Sequence, residues 1–205
     1  KSLAETFAEG SKNNINFEFF WSPDESSYRN QAADIVINNE FDTLIFIKPS
    51  IQWIASDLVS IVNNDSLIEG SVAKDFYSPN HVFKVVLNGI KEDNPISAKL
   101  LDLDFLKIEK EVFSRIDNFI IKINKVKEDV IEQIPMYFYS TADASGQISQ
   151  DVNFCLAVEK AEIPIEINPN VSFWEHVTVP HKTDLGSYIR QAEVSKAFED
   201  LEQEG

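Results

Sequence analysis

The chain of 205 residues has one cysteine, six glycines and few cations. A single Cys155 cannot close an internal disulfide, which fits a reducing compartment and a cytoplasmic location. It falls on the apolar side of an expected helix, as a buried structural thiol does. Lys and Arg number 18 against 34 Asp and Glu, for a net charge of −16. That balance argues against non-specific binding to a nucleic-acid backbone, which needs a cationic surface, and it favours solubility. No run of about 18 apolar residues occurs, so no membrane span is expected. No secretory signal pattern opens the chain. Phosphate-loop, nucleophile-elbow, zinc and dinucleotide fingerprints are all missing. His81 and His181 stand in expected loops without Cys or carboxylate partners at metal-ligand spacing.

What is present is a generous apolar stock, with fifteen Phe, enough for a sizeable core in one domain spanning 1–205. The chain centres on Phe41–Trp53 (FDTLIFIKPSIQW). Leu44, Ile45, Phe46 and Ile47 form a continuous apolar run, which suits a central parallel strand covered by helices on both faces. The strand is expected to stop at Lys48-Pro49-Ser50, because proline cannot donate to a ladder. Ligands of open α/β sheets bind just past such strand ends, so Lys48 and Ser50 become candidates. An ordinary core strand and turn would read the same way.

Helices are expected at Ser2–Gly10, Ser27–Asn38, Ile54–Asn63, Lys110–Ile116 and Ser149–Lys160, the last with Ser149 as N-cap. An amphipathic helix is expected at about 187–203, where Val194, Ala197, Phe198 and Leu201 share a face. Strands are expected at Ile15–Trp21 and Val82–Leu87, a short strand or turn at Ser66–Val72, a strand with a break at Ala98–Ile108, and a strand at Pro164–Val171 towards an edge. Phe119–Ile134 reads as a strand followed by a helix. The alternation predicts an α/β fold with a mixed, mostly parallel sheet and helices on both faces.

Several segments in order resemble the GT-A fold glycosyltransferases, in particular small viral and bacterial members. They are Tyr28-Arg29-Asn30 opening a helix; FIKPSIQW (Phe46–Trp53), similar to a strand ending in an Asp-x-Asp motif; LDLDFLKIEKEVF (Leu101–Phe113), similar to the segment entering the acceptor site; SQDVNFC (Ser149–Cys155), similar to a Ser-Glu-Asp-x-x-Phe-Cys helix start; and IPIEINPNVSFWEH (Ile163–His176), similar to a strand ending in a late histidine. The resemblance spans about Ser27 to His176. It implies a Rossmann-like fold and transfer of a sugar from a nucleotide-sugar donor to a hydroxyl acceptor. The family's first strand has no counterpart before Lys1.

Under that resemblance Asp151 is the general base, Lys48, Ser50, Arg29 and His176 meet the donor diphosphate, and Asp102 and Asp104 touch the acceptor. The departures are specific. Lys48 and Ser50 stand where the family has its two metal-binding carboxylates, and a lysine repels a divalent cation. Gln150 stands where Glu is usual, and Leu103-Asp104 replaces a glycine-rich turn. Each residue also has a plainer role: Asp151 as a first-turn acid favoured by the helix dipole, Lys48 as a solvated strand-end lysine, His176 as a polar neighbour of Trp174, and Asp102 and Asp104 as loop acids. Two functions therefore stand side by side. One is a glycosyltransferase with Asp151 as base; the other is a catalytically inactive relative acting as a binding or scaffolding module.

Overall fold

The computed structural model describes residues 2–20, 25–71, 85–87, 96–101, 103, 105–127, 130–143, 146–168, 171 and 173–175. In chain order the elements are α1 (Ser2–Lys12), α2 (Glu25–Asn38), β1 (Thr43–Ile47), β2 (Ile51–Trp53), α3 (Ala55–Val62), β3 (Ile68–Gly70), β4 (Val85–Leu87), β5 (Ile96–Leu101), β6 (Phe105–Glu109), α4 (Lys110–Ile116), β7 (Ile121–Lys127), β8 (Val130–Met136), β9 (Thr141–Asp143), β10 (Gly146–Ile148), α5 (Gln150–Lys160), β11 (Ile165–Ile167) and β12 (Phe173–Glu175). Among the described residues no helix is long and apolar enough to cross a membrane. The segment expected as a helix at about 187–203 lies outside the described residues.

The main sheet has six strands in the order β1-β6-β3-β11-β5-β4. Its parallel contact is β11 with β3; β1–β6, β6–β3, β11–β5 and β5–β4 are antiparallel. A mostly parallel sheet with Phe41–Ile47 at its centre is therefore the wrong expectation. β1 lies at the sheet edge, and its neighbour runs against it. β1 and β3 do point the same way, as a strand–helix–strand unit requires, but β6 is inserted between them in the opposite sense. The apolar run misleads because it reports two covered faces, not two occupied edges. Phe46 packs in one core cluster with Leu44 against it, while Ile45 and Ile47 pack against the other.

Strand alternation sorts the two layers. On one face Leu106, Ile108 and Ile68 meet α2 through Ala33 and Val36, α4 through Val112 and Phe113, and α5 through Phe154 and Val158. On the other face Phe105 meets α3 through Leu58 and Ile61. α1 packs on α3, and Trp53 Nε1 donates to Thr6 Oγ1 at 2.9 Å. Gly70 on β3 has no room for a side chain: a Cβ there would lie 2.4 Å from Leu101 Cδ2.

Other elements also differ from expectation. Residues 15–20 form neither helix nor strand where a strand was expected at Ile15–Trp21, whose Trp21 lies outside the described residues. β7 and β8 make an antiparallel hairpin where a strand and helix were expected. β11 lies inside the sheet, between β3 and β5, because its flanking proline Pro164 stays outside the short ladder. Cys155 is buried, as expected, with Sγ 3.7 Å from the Leu101 carbonyl oxygen.

Candidate functional site

α2 and α5 bring together two of the residues singled out in the sequence. Arg29 leaves the second turn of α2, and its Nη1 donates to Asp151 Oδ1 at 2.8 Å. A longer contact of 3.4 Å reaches Gln150 Oε1. The guanidinium carbon also lies 5.8 Å from the centre of the Phe46 ring, so an aromatic face of β1 supports the ion pair. The side chains are 13% and 25% exposed, which places the pair between a solvated surface bridge and a buried one.

Asp151 does not cap its own helix. That role belongs to Ser149, whose Oγ accepts from Val152 N at 3.4 Å. The adjacent Asn30 acts as a clamp. Its Nδ2 donates to the Phe138 carbonyl at 2.6 Å, and its Oδ1 accepts from Phe138 N at 3.0 Å. Both functions of the amide are thus spent on one backbone residue. Phe138 in turn stacks on Phe154 of α5, with ring centres 5.0 Å apart. Asn153 holds the next stretch, donating to the Tyr139 carbonyl at 2.9 Å. Arg29, Asn30, Asp151 and Asn153 therefore tie α2, α5 and the segment after β8 into one unit.

Lys48 and Ser50 occupy the tight turn between β1 and β2, closed by Ile51 N donating to the Lys48 carbonyl at 2.9 Å. β12 runs antiparallel to β2, pairing Glu175 with Ile51. The late segment thus returns beside the Lys48–Ser50 turn, but His176, Asp102 and Asp104 lie outside the described residues. Lys48 and Arg29 line one large cleft of about 1860 Å³, bounded by β1, α2 and residues 14–20. Asp151 is not among its lining residues. Among the described residues no group of three or more His, Cys, Asp and Glu is placed to hold a metal ion.

A second polar assembly escaped the sequence reading. On the α3 face of the sheet, Lys107 is fully buried. Its Nζ donates to the Asn64 carbonyl at 2.6 Å and the Ser66 carbonyl at 2.8 Å, and pairs with Glu109 Oε1 at 2.7 Å. Glu69, its register partner on β3, is buried too; Oε1 accepts from Asn168 Nδ2 at 2.7 Å, while Oε2 has no partner among the described residues. Burial is the main force pushing the Glu69 carboxyl above the usual range; the neighbouring Glu166 adds to it, and Asn168 and Lys107 oppose it. Glu166 itself accepts from Ser66 Oγ. A lysine between apolar neighbours (FLKIE) reads locally as solvent-facing, so only the register could have revealed this cluster.

No family model matches the chain, and no curated protein matches it. Among solved structures it is similar to A197 from STIV, at 15% identity and a TM-score of 0.47, over 86% of this chain and 78% of that one. At that score the likeness is loose and says nothing of function.

Proposed function

We propose that the chain is a binding or scaffolding module rather than an enzyme that turns over a nucleotide sugar. The observation that carries this reading is the Arg29–Asp151 pair. A general base needs a lone pair aimed at the acceptor hydroxyl. In Asp151 Oδ1 is held by Arg29, so the carboxylate already serves as half of an ion pair joining α2 to α5, with Oδ2 left to accept elsewhere. Lys48 adds a second argument, because an ammonium where a carboxylate would hold a divalent ion leaves a single fixed charge, in place of a metal, to meet a departing diphosphate.

The transfer reading keeps one supporting observation: Asp151 remains a quarter exposed at the start of α5. Incubation with UDP-glucose, UDP-galactose and GDP-mannose, with and without manganese, separates the two readings. Release of nucleoside diphosphate is expected to stay at the buffer background in every case. Release that is abolished in Asp151→Asn would overturn the binding-module reading in favour of sugar transfer.

A further inference from the structure

We propose that the open edge of β1 is a docking site for an extended peptide bearing basic residues, which adds to the main sheet as an extra antiparallel or parallel strand. This rests on the binding-module reading and names the partner class of that module.

The ladder geometry decides which groups face outward. Glu109 N donates to the Leu67 carbonyl at 2.9 Å and Ser71 N to the Phe105 carbonyl at 3.3 Å. In an antiparallel sheet consecutive residues bond to opposite sides, so Phe105, Lys107 and Glu109 are committed to β3. Leu106, Ile108 and Lys110 then serve β1, and Lys110 N does donate to the Asp42 carbonyl at 2.7 Å. With Leu44 opposite Ile108 and Phe46 opposite Leu106, the N–H and C=O of Thr43, Ile45 and Ile47 point away from the sheet. Among the described residues no hydrogen bond between strands or loops is made to these outward groups. The cleft of about 1860 Å³ runs along this edge, with residues 14–20 as its far wall. Phe19 and Phe20 on that wall are 40% and 53% exposed, giving apolar surface for alternate side chains of an added strand.

Charge selects the occupant. The exposed rim charges of the cleft are the acids Glu18, Glu40 and Asp42. Of its cations, Arg29 is engaged by Asp151, Lys110 by the Asn39 carbonyl, and Lys48 sits half-buried at the strand end. A second copy of the chain is disfavoured, because each copy carries −16. β1 is also only five residues long and runs into Lys48-Pro49, the kind of ending that blunts edge-to-edge self-pairing. A basic extended segment meets the acids and supplies the missing main-chain partners.

The test is calorimetry with an eight-residue peptide alternating lysine and valine. Three comparisons accompany it: the same peptide methylated on every backbone nitrogen, a glutamate–valine version, and the protein variant Ile45→Pro. The lysine–valine peptide is expected to bind. Full methylation keeps the charge but removes the main-chain donors, and is expected to weaken binding at least about tenfold. The glutamate peptide is expected to weaken by at least as much. Ile45→Pro removes an outward N–H while sparing the bonds to β6, and is expected to act like methylation; the methylated peptide gives the same information should that variant fail to fold. Equal binding of the methylated peptide, or no binding of the parent, overturns the proposal. So does sedimentation showing a dimer that Ile45→Pro disrupts, which would make a second copy the occupant. None of these readouts involves a nucleotide sugar, so turnover of a sugar donor would sink the binding-module reading without altering the peptide result.

Discussion

Lys107 on β6 and Glu69 on β3 are register partners, 0% and 1% exposed, on the face of the sheet that carries α3. The ammonium has three oxygens within 2.8 Å: two carbonyls from the α3–β3 connection and Glu109. Two more glutamates, Glu69 and Glu166, are register partners on the parallel strands beside it. The lysine is thus an internal cation for a group of acids inside the sheet layer. Removing one member of a buried charge cluster leaves the others unpaired, which costs more than replacing the whole cluster.

Lys107→Met is therefore expected to destabilise the fold by about 3 kcal/mol, within the range for breaking a buried pair. Urea unfolding measures it. Combining it with Glu69→Gln and Glu109→Gln is expected to recover more than half of the loss, because Glu166, which also accepts from Ser66 Oγ, is then the one carboxylate of the group left without the lysine. A single-variant loss below about 1 kcal/mol would mean that the cluster is wetter than its burial implies.

Glu69 gives a pH dependence of defined sign. Its carboxyl is raised in the folded state, mainly by burial. The folded protein then holds the proton more tightly than the unfolded chain, whose glutamates titrate near about 4.3. Stability from this group falls as pH rises from that value through the folded pKa, and the penalty is complete above it. Glu69→Gln is expected to be more stable than the wild type at pH 7 and to lose that advantage near pH 4. An advantage that grows on acidification would contradict the direction of the shift.

Tyr137 acts at the alkaline end. It is buried against Phe113, with ring centres 5.0 Å apart. Burial first, then Asp117 and Asp34, push its phenol up to about 12. The unfolded chain releases this proton near about 10. Stability is therefore expected to fall as pH rises from there through about 12. Tyr137→Phe should flatten that alkaline loss in melting curves recorded at stepped pH. An unchanged slope would show that Tyr137 titrates as an ordinary tyrosine.

Local structure was legible in the sequence where its causes are local. Ser149 as N-cap of α5 follows from spacing within one helix and appears; of the apolar side expected at Val152, Phe154, Cys155 and Val158, the last three are buried and Val152 is half-buried. The boundaries of α2, α3 and α4 fall close to expectation for the same reason. Strand neighbours were not legible. Leu44–Ile47 carries the apolar pattern of a doubly covered strand, and its side chains do pack against both core clusters, yet nothing within it states which strand lies beside it. The insertion of β6 between β1 and β3 is decided by residues about sixty positions away. The same holds for Lys107, whose face is closed by α3 and its following loop. In Ile121–Met136 the mixture of charged and apolar residues fits a hairpin with exposed sides as well as an amphipathic helix, and pairing such as Ile123 with Ile134 settles it. At the candidate site, Arg29 and Asp151 were both singled out, but not as each other's partner.

That partnership yields the prediction bearing most directly on function. If Arg29 holds Asp151, the two residues are energetically coupled. The single variants Arg29→Gln and Asp151→Asn each remove the ion pair while keeping side-chain length and polarity close to the original. Urea unfolding of the wild type, both single variants and the double variant gives the coupling free energy. A pair 13% and 25% exposed should couple by about 1 kcal/mol, more than a solvated surface bridge and less than a sealed one. The coupling should shrink in about 1 M salt, because screening acts on the exposed part of the contact. Loss of Arg29 also removes the cation over the Phe46 ring, so Arg29→Gln should cost more than Asp151→Asn. Coupling near zero would leave Asp151 without a fixed partner in solution. The ion pair would then no longer account for the residue's place at the start of α5, and the main support for a binding module without turnover would be gone.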